Sequence, residues 1–518
     1  METIDKIKNP HYDLIFLGID SGISQGNSIL MQYLANLGTN LIGSITFMDY
    51  DYIGNHIPYK CLENDSKMIR STFEGMKYSS IYSLLNISHS TEYFDVIDED
   101  FISSNLPPSR LPNMTDSKRN IIIATSSNTS MATIKSVKNL VEESSRFNSI
   151  THIHLETGNT TDGGSIFMAR STKDSMEIDY PSTFKFIKND YSNSTSMYSQ
   201  SIISGGAFVI FVVNLIAFNL VTDKVIKFNA DSISMGPFNS VKTDVDIPLP
   251  GKRKIYKKKK IKKRGRKRTV KVYKKVSDAL DIIFVGLGAT GSFAASFIIP
   301  LLNEHPERVN SIHFVDGDIV ERKNALNQRC LESESGTYKV DSAVERYKKA
   351  YPNLKIQAHH HYLLDLNSDT IKRILGTNSI KHRSLALLFN VDNHESRKLA
   401  DNYFLKENQL NTLLLGDSGN GTITRAGQFV WGLKHYNQTI LQPIGGTDFG
   451  SEVRNNKGDV KQLFGTCARE STAHPQHIST NSIAGISETL NFRPIITDKR
   501  VKSHVTHFSL DPIYISAR

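Results

Sequence analysis

The chain has 518 residues, 39% hydrophobic and 22% charged, a balance that excludes a disordered chain and suffices for two or three folded domains. Three cysteines, Cys61, Cys330 and Cys467, exclude a four-cysteine zinc site and argue against a secreted disulfide framework; with the polar start Met1–Asn9, a cytoplasmic location is expected. The net charge of +10 is local: residues 252–275 hold 16 of the 62 Lys and Arg and no acid, leaving 46 basic against 52 acidic residues, a net −6, elsewhere.

In chain order, Asp13-Leu-Ile-Phe-Leu-Gly18 reads as a buried strand entering a glycine turn. Ser44-Ile-Thr-Phe-Met-Asp49-Tyr-Asp51 reads as the next strand, ending on carboxylates. The apolar run from Ile202 to Val221 approaches membrane-spanning length. Ser204, Gly205, Gly206, Asn214 and Asn219 interrupt it, so a buried helix and no membrane contact are expected. The Lys/Arg run 252–275 comes next; like charges repel, so it reads as a solvated boundary, with residues 269–273 (TVKVY) alternating like a strand. It admits nonspecific nucleic-acid contact through phosphates, with Tyr256 and Tyr273 its only aromatics.

Beyond this run the pattern begins again. Asp281-Ile-Ile-Phe-Val-Gly286 matches Asp13–Gly18, and Ser311-Ile-His-Phe-Val-Asp316-Gly-Asp318 matches Ser44–Asp51. Leu415–Asn420 matches Leu155–Asn159, and Ile496–Lys499 matches Val221–Lys224. Matches in one order at similar spacing read as an internal duplication. Each copy runs strand, glycine turn, helix, strand and further helix–strand pairs, which predicts an α/β fold of two doubly wound, Rossmann-like domains. The expected division is 1–245, a Lys/Arg-rich linker at 246–276, and 277–518.

In the second copy, Gly286-Leu-Gly288-Ala-Thr-Gly291 follows a strand and opens the apolar helix Ser292–Leu302. Such glycines let backbone N–H groups and a helix N-terminus approach a phosphate. Asp316, ending the next strand, stands where a carboxylate accepts hydrogen bonds from ribose hydroxyls. An NAD(P)-dependent oxidoreductase explains these features equally well. It does not explain the adjoining run, Asp318-Ile-Val320-Glu321-Arg-Lys-Asn324. These residues resemble the ThiF/MoeB/ubiquitin-activating family of adenylyltransferases, whose signature after the glycine loop is D-x-D-x-V-E-x-x-N. Gly336-Thr-Tyr-Lys339 is similar to the family's G-x-x-K element. Asp392-Asn393, after the strand LALLFNV and before Arg397, is similar to its D-N element. The strand LLLGDSGNG and the Cys467 segment look most like plasmid-associated ThiF-like proteins of the PRTRC type, found beside small ubiquitin-like partners.

The resemblance implies ATP and Mg²⁺ as cofactors. It places Gly286, Gly288, Gly291, Asp318, Gln328 and Asn393 around the nucleotide, Asp316 on the ribose and Asn324 near the phosphates. Lys339 would contact the triphosphate and Asp392 would bind Mg²⁺. Arg329 stands one or two places from the arginine of the family's N-L-x-R-Q run. Cys467 stands where the family can take the activated acyl group as a thioester. The implied substrate is the C-terminal carboxylate of a ubiquitin-like (β-grasp) protein or a peptide. Family members act as dimers or fused pseudo-dimers, so the two ThiF-type domains are expected to form an intramolecular pseudo-dimer.

The first copy departs from this pattern. Asp20 falls where Gly288 does, Ser127 where Asp392 does, and no lysine stands for Lys339 after Asp49. It is expected to be catalytically silent and to supply the interface. A non-enzymatic nucleic-acid-binding scaffold is the remaining alternative.

Overall fold

The computed structural model describes residues 11–37, 41–49, 68–92, 96–108, 114–127, 129–157, 163–173, 175–178, 197–218, 225–229, 234–235, 245–246, 255–263, 266–274, 279–421, 425–448, 450 and 477–518. The first half begins with β1 (His11–Leu17), α1 (Ser21–Leu37), β2 (Ile42–Met48), α2 (Arg70–Ile81), β3 (Ile87–Ser90), α3 (Glu99–Asn105) and β4 (Arg119–Ser126). It continues with α4 (Met131–Glu143), β5 (Ser149–Thr157), β6 (Gly163–Thr172), β7 (Ser175–Ile178), α5 (Met197–Phe218), β8 (Val225–Asn229) and β9 (Ser234–Met235). β1, β2 and β4 are buried along their whole length, which is why they read as unbroken apolar runs and pair in parallel. The order is β3-β2-β1-β4-β5, all parallel, with β6 added antiparallel to β5.

Next come β10 (Val245–Asp246) and the basic segment. That segment is not a featureless linker: β11 (Ile255–Lys263) and β12 (Arg266–Lys274) pair antiparallel in unbroken register from Ile255↔Lys274 to Lys263↔Arg266. The strand expected at 269–273 is thus paired along its length with a second strand.

The second half repeats the first. Its elements are β13 (Leu280–Val285), α6 (Ala289–Glu304), β14 (Val309–Val315), α7 (Lys339–Ala350), β15 (Ile356–His359), α8 (Ser368–Ile374) and β16 (Ser384–Phe389). They continue with α9 (His394–Lys406), β17 (Thr412–Asn420), β18 (Ala426–His435), β19 (Gln438–Leu441), α10 (Ile478–Thr497), β20 (Arg500–Val501), β21 (Val505–Leu510) and β22 (Ile513–Ala517). The parallel order is β15-β14-β13-β16-β17, with β18 antiparallel to β17, the same arrangement as before. Polar contacts recur too. Ser44 donates to Asp13 at 2.6 Å and Arg119 lies 3.5 Å from it; Ser311 donates to Asp281 at 2.7 Å and Arg383 lies 2.8 Å from it.

The halves meet in several places, among them one strand pair and one helix pair. β9 pairs antiparallel with β22 through Met235↔Ile515, which joins both blocks into one 18-stranded sheet. The long helices α5 and α10 pack against each other, and one apolar core holds Phe208 and Val212 with Ile483, Ile486 and Phe297. A small residue permits the approach: a Cβ on Gly206 would lie 2.4 Å from Ile486. The apolar run around Ile202–Val221 is thus largely the buried helix α5, as its polar interruptions predict, and no described helix is long and apolar enough to cross a membrane.

Candidate nucleotide site

The site lies at the carboxyl ends of β13, β14 and β16, where a doubly wound sheet gathers ligands. The turn after β13 needs its glycines. Gly286 has φ +85° and a Cβ there would lie 2.7 Å from the Asn390 carbonyl; a Cβ on Gly291 would lie 2.0 Å from the Gly286 carbonyl. Gly288 is different, because a Cβ there would meet nothing within 4 Å. It stands at the N-cap of α6 and supplies no capping side chain, which leaves the first N–H groups of that helix without a side-chain cap from this position.

Asp316 closes the turn by accepting the Leu287 N–H at 2.6 Å and the Asp318 N–H at 2.8 Å. Residues 318–320 are laced to 336–339 by Val320 N–H to Thr337 O, Gly336 N–H to Val320 O and Lys339 N–H to Asp318 O. That lacing brings Lys339, the first residue of α7, to Asp318, with Nζ 2.9 Å from Oδ2. Burial opposes a charged amine, yet Asp316 and Asp318 hold the Lys339 pKa above its ordinary value. Burial pushes Asp316 up, with Lys339 opposing; Asp318 resists its own burial and is held below the carboxylate range by Lys339 and by the Tyr362 hydroxyl, which donates to it.

Asp392, just past β16, is exposed and makes no ion pair or hydrogen bond with another described residue. One hard carboxylate at that place fits Mg²⁺, which usually takes one or two carboxylates and completes its shell with phosphate oxygens and water. Among the described residues no group of three His, Cys, Asp or Glu could hold a metal. Asn324 lies nearly buried, its Oδ1 accepting the Glu321 N–H at 2.8 Å. Gln328, Arg329, Cys330 and Lys339 line a small, partly open cavity with Leu287 and Ser292.

Three residues in or beside these motifs are engaged within the fold. Asn393 caps α9, accepting the Ser396 N–H at 2.8 Å. Arg329 turns away into the first half, donating to the Ser28 carbonyl at 2.9 Å and to Gln32 at 2.5 Å. Arg397 is buried behind the sheet end against the Val391 and Ser418 carbonyls and Asp417. Cys467, like Asp51, lies outside the described residues. Cys330 is buried, and burial pushes its thiol up to about 11, so it is not a nucleophile as it stands.

The equivalent corner of the first half is differently finished. Asp49 accepts the Ile19 N–H at 2.6 Å, as Asp316 does for Leu287. Asp20, at the place of Gly288, is buried and accepts the Ile23 N–H at 2.8 Å, so its carboxylate fills the N-terminus of α1. A cation does stand where none was expected: Arg70, the first residue of α2, lies 3.9 Å from Asp49 and donates to the Ile19 carbonyl. It corresponds to Lys339 at the head of α7, and an Arg outside any G-x-x-K run left no sequence signal. Tyr362 and Glu488 also escaped the sequence; Glu488 sits fully buried on α10, 3.3 Å from Asn390.

No curated protein matches the chain. Among solved structures, the crystal structure of E. coli MccB with succinimide matches at 12% identity and a TM-score of 0.32, over 47% of this chain and 64% of that one. Residues 260–415, which carry the glycine loop, Asp316, Lys339 and Asp392, match the model of the ThiF family.

Proposed function

We propose that the second half binds MgATP and adenylates the C-terminal carboxylate of a small protein or peptide. The observation that carries this reading is the N-terminus of α6 at Gly288, which has no side-chain cap, with Asp316, Lys339 and an Asp392 that pairs with no described residue at the same sheet end. A carboxylate oxygen of the substrate attacks the α-phosphorus of ATP. The acyl–oxygen–phosphorus bond forms, the bond between α-phosphorus and bridging oxygen breaks, and pyrophosphate leaves. Asp316 is placed for the ribose, the α6 N–H groups and Asn324 for phosphate oxygens, and Lys339 for the charge that builds on them. Mg²⁺ held on Asp392 would supply charge neutralisation on the leaving phosphates. An oxidoreductase reading leaves Lys339 and Asp392 without tasks.

In this reading the first half is the silent partner of an intramolecular pseudo-dimer, supported by Asp20 at the anion place, the joined sheet and the packing of α5 on α10. The repeated strand order and the repeated Ser–Asp–Arg contacts support a duplication. A ubiquitin-like substrate and acyl transfer to Cys467 are the finer parts of the proposal. The test is ATP–pyrophosphate exchange with candidate β-grasp proteins and peptides, wild type against Asp392→Ala. Exchange that needs the carboxylate substrate and vanishes in the variant is expected. A chain that binds no ATP removes the reading.

A further inference from the structure

Gln32 on α1 reaches across the joint to the segment that comes after Asn324. Its Nε2 donates to the Gln328 carbonyl at 2.8 Å and to the Cys330 carbonyl at 2.5 Å, while its Oε1 accepts from Arg329 at 2.5 Å. Ser28, one turn earlier, accepts from the same guanidinium through its carbonyl and its Oγ, both at 2.9 Å. The second half holds the segment from the other sides. Ser292 accepts the Arg329 N–H at 2.9 Å, Asn481 donates to the Asn327 carbonyl at 2.9 Å, and Arg346 donates to the Arg329 carbonyl at 3.0 Å.

We infer that Gln32 and Ser28 are positioning residues for the nucleotide site, so that the half without an open glycine loop fixes the phosphate-side segment of the half that has one. The inference rests on reading the second half as an ATP site. A buried amide must satisfy both its donors and its acceptor, and Gln32, 3% exposed, does so entirely on residues 328–330. Those three residues line the cavity with Lys339, and Asn324 lies just before them. Restraining the backbone on either side of Arg329 therefore sets where Asn324 and Gln328 stand before a nucleotide arrives. The arginine is itself part of the clamp, its guanidinium spent on Ser28 and Gln32.

Gln32→Glu separates the clamp's parts, because it keeps the acceptor for Arg329 and removes both donors to the carbonyls. The experiment measures ATP affinity by calorimetry with Mg²⁺, the KM for ATP in pyrophosphate exchange, and the unfolding midpoint, all on the full chain. ATP binding weaker by about tenfold is expected in Gln32→Glu and Gln32→Ala, carried by KM with kcat nearly held, since small misplacements of binding groups act on that scale. Ser28→Ala, a milder change, is expected to weaken ATP binding about threefold, and serves if either Gln32 variant fails to fold. Unchanged ATP affinity beside a lowered unfolding midpoint would make the contact interface adhesion only and overturn the inference. Wild-type chain that binds no ATP would instead remove the nucleotide reading, a failure seen before any variant is made.

Discussion

Lys339 and Asp318 meet across 2.9 Å at the carboxyl end of β14, with the lysine side chain only 10% exposed. The pair is charged, since Asp318 is held low and Lys339 high. It is not there to stabilise the fold, because a half-exposed carboxylate gains little from such a partner. In the proposed reaction it keeps a cation stationed beside the glycine loop, where charge would develop during attack on a phosphate. Lys339→Met is expected to lower kcat in pyrophosphate exchange by about 10²–10³-fold, the range for removing one preorganised donor. The unfolding midpoint should move little. An unchanged kcat would remove Lys339 from the chemistry.

Asp20 makes the opposite prediction for the first half. Its carboxylate already caps α1, so wild-type chain should bind one ATP, not two, in a calorimetric titration. Asp20→Ala loses the cap and is expected to cost about 1 kcal/mol of stability by denaturant unfolding. Two sites of equal affinity in the wild type would contradict the closed corner.

Much of this was legible in the sequence, and the reasons are local. Asp316 and Gly286 announce themselves because a strand end and a tight turn restrict residue type wherever they occur. Lys339 was legible because residues 336–339 form a short run whose backbone is laced to 318–320. Arg70 does the corresponding structural task with no such run, and only the shared position at a helix head relates the two. Gln32 was invisible for a different reason. Its partners lie about 300 residues away, and a glutamine on an apolar helix carries no sign of what it meets. The β11–β12 ribbon was half legible, because charge obscured an alternation that the pairing register makes plain.

Glu488 and Asp401 give the second half a pH dependence of stability. Burial pushes Glu488 up to about 8 and Asp401 up to about 7, in each case with Asp417 adding to it. Both folded-state values lie above the unfolded ones, so the folded chain holds protons that the unfolded chain has released. Their contribution is fully present below about pH 4 and is lost as pH rises through about 7 and 8. Glu488→Gln keeps a neutral side chain at all pH. It is expected to be more stable than wild type at pH 9 by on the order of 1–3 kcal/mol, with a flatter stability profile between pH 5 and 8. Equal slopes for the two proteins would show that Glu488 does not titrate there.

In the proposed reaction Cys467 would separate activation from transfer. Cys467→Ala should leave pyrophosphate exchange within about twofold of wild type, because adenylate formation uses none of its chemistry. The same variant should lose any thiol-sensitive covalent adduct with the activated partner on a non-reducing gel. Loss of exchange together with the adduct would place Cys467 in the adenylation step instead.

The basic ribbon poses a separate question, because its register is unfavourable to an isolated hairpin. Lys258 stands opposite Lys271, Lys262 opposite Lys267 and Lys263 opposite Arg266, and like charges directly across a ladder destabilise it. A two-stranded ribbon is marginal even without that repulsion. Phosphates of a nucleic acid would relieve it, and binding of that kind weakens steeply with salt because counterions are released. Replacing residues 252–275 by a Gly/Ser linker should therefore abolish retention of duplex DNA at low salt. The slope of log affinity against log salt should drop by about 0.9 for each phosphate that the ribbon neutralises. Pyrophosphate exchange should persist in that variant, since none of the residues assigned to the nucleotide lies in the ribbon. An unchanged salt slope would return the ribbon to the role of a connector between the two halves.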